Sequence, residues 1–364
     1  MGKLADELRS NGTQSHPRRY SHRIRIPYYP KDVREYLEFF GHNPDATVLD
    51  GPMSIRHSEL ANGEVVTTVS YKLFDAPQPV DLDGIVERLR GTEQPVGISG
   101  DWAFVFQASD LQIGKIASGG ATADILEKYW ESVDSAYDRY VELLDMGYSI
   151  GYIQLSFPGD CIEGTVSQGG KNIWLTQNTV TEQNRIFRRL LTETVRVFAP
   201  LANTVYLDVV NGNHDESTRT YNSYPGDGWA TECALAVSDA LSLARIENVY
   251  VRVPDQWQSH MTVPVGNSKV VVAHGHQWQN GRAMEWWKEQ VFGNNGPESA
   301  YVLQNGHWHT PLIKFEGART QIQSATFDGG SDWYRDKHGT AAHQRRGALT
   351  YLLKDNVPQQ ISLV

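Results

Sequence analysis

Three short motifs set histidines beside carboxylates and an amide. They are Gly212-Asn213-His214-Asp215, His274-Gly275-His276 and Gly306-His307-Trp308-His309. Ahead of them in the chain stand Asp110 and the pair Gly159-Asp160. Carboxylates, an amide oxygen and neutral imidazoles make a mixed oxygen–nitrogen ligand set. Such a set suits Mn²⁺, Fe or Zn²⁺, and Mg²⁺ less well because so much of it is nitrogen. Two ions held this way can activate water and neutralise charge developing on a phosphoryl group. No Ser–His–Asp arrangement and no phosphate-cradling Gly-rich loop competes as a source of chemistry.

Ligands this far apart in sequence can meet only if regular elements end at a common edge. Each motif follows an apolar run that reads as a strand: Trp102 to Ala108 before Asp110, Tyr148 to Phe157 before Asp160, and Thr204 to Val210 before Asn213. Lys269 to Ala273 precedes His274, and Tyr301 to Gln304 precedes His307. Between them, Thr122 to Met146, Thr179 to Phe198, Trp229 to Ile246 and Ala283 to Val291 have helical spacing. Thr320 to Phe327 and Gly347 to Lys354 read as closing strands. This alternation, ending strand-rich, predicts a layered α/β fold with a mixed sheet or two sheets.

The first 95 residues read differently. Arg18, Arg19, Arg23, Arg25, Lys31 and Arg34 are interleaved with Tyr20, Tyr28 and Tyr29, a composition able to touch nucleic acid. The competing reading is a solvated arm. Lys31 to Phe40 is expected to form a short helix and Glu64 to Leu73 a strand, so 1–95 is expected to be an accessory region and 96–364 the main domain. The chain has 364 residues, 40% of them hydrophobic, enough for one large domain plus a smaller one. A net charge of −10 argues against non-specific nucleic-acid binding through the whole surface. The two cysteines, Cys161 and Cys233, lie in no zinc or CxxC pattern and are expected to be reduced thiols. No apolar run approaches the roughly 18 residues of a membrane span, and Met1 to Ser10 is no secretory signal. The expected location is cytoplasmic.

The motif order over residues 98 to 355 resembles the calcineurin-like metallophosphoesterase superfamily. Within it the chain is most similar to the SbcD-type DNA exonuclease branch and its phage-encoded relatives. The resemblance implies a four-layer αββα sandwich, two mixed sheets flanked by helices. It implies two divalent ions, Mn²⁺ foremost, that activate water for in-line attack on a phosphodiester of DNA. It assigns Asp110 and His309 to metal one, Asp160 as the bridge, and Asn213, His274 and His307 to metal two. His214 becomes the residue that stabilises the transition state or protonates the leaving group, oriented by Asp215. Two positions depart from the family pattern. Gln112 stands where the first motif has a histidine, and a neutral amide is a poorer ligand for metal one. The second motif continues as Cys161-Ile162-Glu163, with Glu163 an outer partner of the site.

Alternatives remain open at this point: a phosphoesterase of small molecules or phosphoproteins, or a degenerate scaffold without catalysis. His260, His276, His338 and His343 are read as structural or solvent-facing, and Lys115 as a surface lysine or a phosphate contact. Trp308 is expected to stack on a base or pack beneath the site. Asp328 to Arg346, rich in basic and aromatic residues, is a substrate loop or an exposed hairpin tip. Family members often dimerise, so a homodimer is open. The extra material lies at the N-terminus and not after the closing strands, which argues against an obligatory ATPase partner.

Overall fold

The alternation of apolar side chains within single strands dictates how the layers stack. The computed structural model describes residues 18–24, 33–39, 47–49, 54–59, 65–75, 86 and 89–90. From 99 onward it describes all but 118–119, 167–169, 171–175, 220–222 and 331–344. The chain divides into two compact units, Met1–Val80 and Asp81–Val364. The second begins before residue 96 because Val86 and Leu89 are buried in its core.

In the first unit, β1 (Arg18–Ile24), α1 (Val33–Phe39), β2 (Thr47–Leu49), β3 (Ser54–Glu59) and β4 (Val65–Asp75) follow in order. The long β4 is the spine of an antiparallel sheet and pairs with β1, β2 and β3. Val69 and Tyr71 on β4 and Leu37 on α1 are buried. The basic stretch read as an arm is therefore in part a strand; its continuation through Arg25, Tyr28, Tyr29 and Lys31 lies outside the described residues.

The second unit runs β5 (Trp102–Gln107), α2 (Thr122–Asp145), β6 (Ile150–Pro158), α3 (Val180–Phe198), β7 (Thr204–Val210), α4 (Trp229–Ala244) and β8 (Val249–Arg252). It continues with β9 (His260–Val265), β10 (Ser268–Ala273), α5 (Ala283–Phe292), β11 (Val302–Asn305), β12 (Leu312–Glu316), β13 (Arg319–Gln323), β14 (Leu349–Lys354) and β15 (Val357–Leu363). One sheet has the order β15-β14-β5-β6-β7-β8, the other β12-β13-β11-β10-β9. Both are mixed: β5, β6, β7 and β8 are parallel, as are β10, β11 and β13, while the remaining pairings are antiparallel.

On β5, Phe104 and Phe106 face one core while Ala103 and Val105 face another. On β10, Val270 and Val272 share that second core, and Val271 and Ala273 meet Trp286 and Trp287 of α5. Period-two alternation with both faces apolar means that each sheet is covered on both sides. The layers are helices α2 to α4, sheet, sheet and α5, the predicted αββα sandwich.

The inter-sheet layer also holds a polar seam. Gln304 of β11 donates to Gln154 Oε1 at 2.8 Å and to the Tyr351 hydroxyl at 2.6 Å, and accepts from Ser156 at 2.7 Å. Gln107 of β5 donates to Ile322 O at 3.0 Å and to Ser324 at 2.9 Å. These bonds tie the two sheets together at fixed points, which nonspecific apolar packing does not do. Gln304→Leu should lower stability by about 1–3 kcal/mol, because it strands buried partners. Urea denaturation would report this as a lower midpoint at unchanged slope, and an unchanged midpoint would show the seam to be dispensable.

Candidate metal centre

The loops that leave β5, β6 and β7 meet those that leave β10, β11 and β13. The first two stay paired beyond their strands. Asp110 N–H donates to Gly159 O at 3.1 Å, Gln112 N–H to Asp160 O at 2.9 Å, and Glu163 N–H to Ile113 O at 2.9 Å. The chain turns sharply here through left-handed backbone at Asp110 (φ 54°), Gln112 (47°), Asp160 (52°), His307 (72°) and His309 (56°). Such backbone is uncommon outside glycine, with Asp and His among the residues that adopt it most readily. The glycines that begin two of the motifs are required for a different reason. A Cβ at Gly212 would overlap Asp160, and one at Gly306 would overlap Ser109 and Asp110.

Asp160, His274 and His307 offer donor atoms that all lie within 4.8 Å of one another, the one such group of three among the described residues. His274 Nδ1 donates to the Pro158 carbonyl at 2.8 Å, so Nε2 is its ligand atom. That Nε2 stands 3.1 Å from Asp160 Oδ2 and 3.2 Å from His307 Nδ1. Three lone pairs converge, and only a cation, proton or metal, makes that convergence favourable. Burial alone would lower His274, yet Asp160 outweighs it and holds the ring up at about 9. Burial and the neighbouring His274 push His307 down to about 4, leaving it neutral and able to ligate. Burial would raise Asp160, but His274 and His214 hold its carboxyl well below the usual range. Asn213 supplies the remaining sign: its Oδ1 is buried and has no hydrogen-bond partner among the described residues. An orphaned buried amide oxygen on the residue before His214 fits a fourth ligand. The residues assigned to metal two thus fit a divalent ion.

His214 lies beside this group. Its N–H donates to Asp160 Oδ1 at 2.8 Å, and its ring Nε2 is 3.9 Å from Asp160 Oδ2. Nδ1 faces Glu163, 3.1 Å from the carbonyl and 3.2 Å from Oε2. Burial lowers the ring, but Asp160 and Glu163 raise it to about 9. The orienting role expected of Asp215 therefore falls to Glu163. The Asp215 carboxylate accepts instead from the N–H groups of Gly212 at 2.7 Å, Cys161 at 3.0 Å and Ile162 at 3.1 Å. Burial and the Asp160 charge push Asp215 up to about 7, against the Gly212 and Ile162 donors. It braces the loops and does not steer the imidazole.

The residues assigned to metal one gather less well. Asp110 accepts from His307 N–H at 2.9 Å, and its Oδ1 is 3.4 Å from His309 Nε2. Gln112 turns Oε1, its metal-binding atom, to Lys115 Nζ at 2.6 Å, and its Nε2 lies 3.4 Å from His214 Nε2. Lys115 is no surface lysine: it pairs with buried Asp328, whose Oδ2 is 3.8 Å from His309 Nδ1. Burial would lower Lys115, but Asp328 and Glu163 together raise it. Asp328 is a site residue the sequence reading passed over. Its only signal was the one the ligands share, a carboxylate directly after an apolar run, here Ala325-Thr326-Phe327.

The other expectations fall near the site or outside it. His276 packs at 5.5 Å from the His274 ring, pushed down to about 3 by burial and by His274. His260 packs edge-on against Trp286. Trp308 lies edge-on to His307, with ring centroids 4.8 Å apart. Both cysteines are free and buried, and burial pushes the Cys161 thiol up, with Asp215 and Asp160 adding to it. His338, His343 and most of the late basic–aromatic segment lie outside the described residues. No helix among the described residues is long and apolar enough to cross a membrane.

No family profile and no curated protein matches the sequence. Solved structures do align. A conserved uncharacterized protein described as a predicted phosphoesterase, from Streptococcus pneumoniae TIGR4, is 11% identical over 71% of this chain and 86% of its own, at a TM-score of 0.29. Vacuolar protein sorting 29 from Cryptosporidium parvum is 15% identical over 72% and 97%, at 0.30. An archaeal protein described as a novel phosphodiesterase is 11% identical over 72% and 99%, also at 0.30. The reading of the site rests on its own geometry.

Asp215→Ala strands three backbone N–H groups, and each unpaired buried donor costs about 1–3 kcal/mol. The variant should lose stability on the order of 3 kcal/mol or more by urea denaturation. An unchanged midpoint would return Asp215 to a purely catalytic assignment.

Proposed function

We propose that this chain is a metal-dependent phosphoester hydrolase of the calcineurin-like kind, acting on the phosphodiesters of nucleic acid, DNA foremost. One observation carries the hydrolase reading: Asp160, His274 and His307 converge with His214 alongside, and the buried oxygen of Asn213, the residue before His214, has no hydrogen-bond partner among the described residues. The order of the motifs in sequence supports the same family, and the SbcD-type exonuclease branch within it.

A divalent ion held there, Mn²⁺ by preference, would supply Lewis acidity toward a phosphoryl oxygen and toward water. The chain's own residues do the rest. Asp160 is kept ionised by its imidazole neighbours and by the His214 N–H. Glu163 holds a proton on His214 Nδ1 and fixes the ring plane, leaving Nε2 as the atom that gives a proton to the departing oxygen. Asp110 braces His307 through its backbone N–H and keeps that imidazole over Asp160.

Support for a nucleic-acid substrate comes from β1, an edge strand that carries Arg18, Arg19 and Arg23 with Tyr20. The second reading, a hydrolase of small-molecule or protein phosphoesters, is favoured by the net charge of −10.

The test is turnover of a bis-aryl phosphodiester and of labelled single- and double-stranded DNA by the Mn²⁺-loaded protein. His214→Ala should slow turnover by about 10²–10⁴-fold with metal content unchanged. His274→Ala should lose both metal and turnover. Turnover of the aryl ester with DNA left intact would select the second reading, and no turnover with any divalent ion would sink the hydrolase.

A further inference from the structure

We propose that the second cation of this site is built into the chain. The Lys115 ammonium takes the place of metal one, so the protein binds a single divalent ion through Asp160, Asn213, His274 and His307. The inference rests on the metal-dependent reading above and changes what surrounds the ion.

Three observations carry it. Donor atoms sharing one ion at about 2.0–2.2 Å lie no more than roughly 4.4 Å apart. Asp160, His274 and His307 come near that limit, and among the described residues no second group of three does. Asp110, Asp160 and His309 together fall outside it. The position that should close metal one is also occupied: Gln112 Oε1 accepts from Lys115 Nζ at 2.6 Å. The ammonium is in turn locked to Asp328, which is 1% exposed and 3.8 Å from His309 Nδ1. Lys115 is therefore one contact away from His309 and from His214, and its charge balances carboxylates that a divalent ion would otherwise neutralise. An ion placed against that ammonium would meet like charge in a poorly solvated cleft.

The arrangement also orders the neighbouring polar groups. A lysine donates only, so Gln112 presents its oxygen to Lys115, which leaves its amide nitrogen 3.4 Å from His214 Nε2. The glutamine and the lysine are thus read as one replacement, with the histidine ligand lost and a fixed cation gained.

The rival arrangement has Lys115 swing away and Asp328 join Asp110 and His309 around a second ion. The two differ in ion count. The full chain, stripped by chelator, is titrated with Mn²⁺ by calorimetry and followed by electron paramagnetic resonance. One Mn²⁺ per chain with an uncoupled six-line spectrum supports the built-in cation, as does uptake of two, with an exchange-coupled spectrum, by Lys115→Ala. Two coupled ions in the wild type overturn the proposal and leave the metal-dependent reading standing. No bound ion overturns both. A folded Lys115→Ala that still takes one ion overturns the part given to lysine. Should Lys115→Ala fail to fold, His309→Ala decides: one ion retained supports the proposal, and a changed ion count overturns it.

Discussion

A carboxylate shut away from water has to be neutralised where it stands, and Asp160 sets that condition for the whole site. One of its oxygens is met by the His214 N–H and the other by the His274 ring. Gly212 lacks a side chain because Asp160 fills the space one would need. Asp215 ties the Cys161 amide of the loop after β6 to the Gly212 amide of the loop after β7. Remove the charge on Asp160 and three motifs lose the reason for their geometry. The two sheets serve this arrangement by bringing β6 and β7 against β10 and β11, and the glutamine seam between them fixes their relative height.

What could be read in advance was the interior. β5, β6, β7 and β10 are buried on both faces, so they are written as short apolar runs, and the carboxylate or histidine just beyond each was visible as a candidate ligand. The sheet edges were not. β8, β9, β12 and β15 each lie at an edge, and they carry exposed or polar positions or a proline: Tyr250, Pro264, Phe315, Pro358. Half-solvated strands of that kind resemble loops, because only one side of the backbone is paired and the alternation is diluted. β1, also an edge strand, was left open between a nucleic-acid contact and an arm.

Within the site, identity was legible and direction was not. Asp215 follows His214 in sequence, yet its carboxylate points into the loop amides while the imidazole reaches Glu163, 51 residues away. Adjacent residues at a sharp turn send their side chains apart, and a motif read as a string hides this. The Lys115–Asp328 pair spans 213 residues and follows from no spacing rule. The departure at Gln112 was plain in the sequence, but its partner became visible only in three dimensions.

The left-handed turns at Asp110, Gln112, Asp160, His307 and His309 set stability against chemistry at single positions. A non-glycine residue in that conformation costs about 1–2 kcal/mol, and glycine would relieve it. Selection for a sturdier fold would therefore favour replacing the very side chains that reach into the cleft. A lineage released from catalysis should lose those five residues to glycine or asparagine first, long before its core drifts. The backbone angle at each of these five positions would in that sense record whether the cleft is still in use.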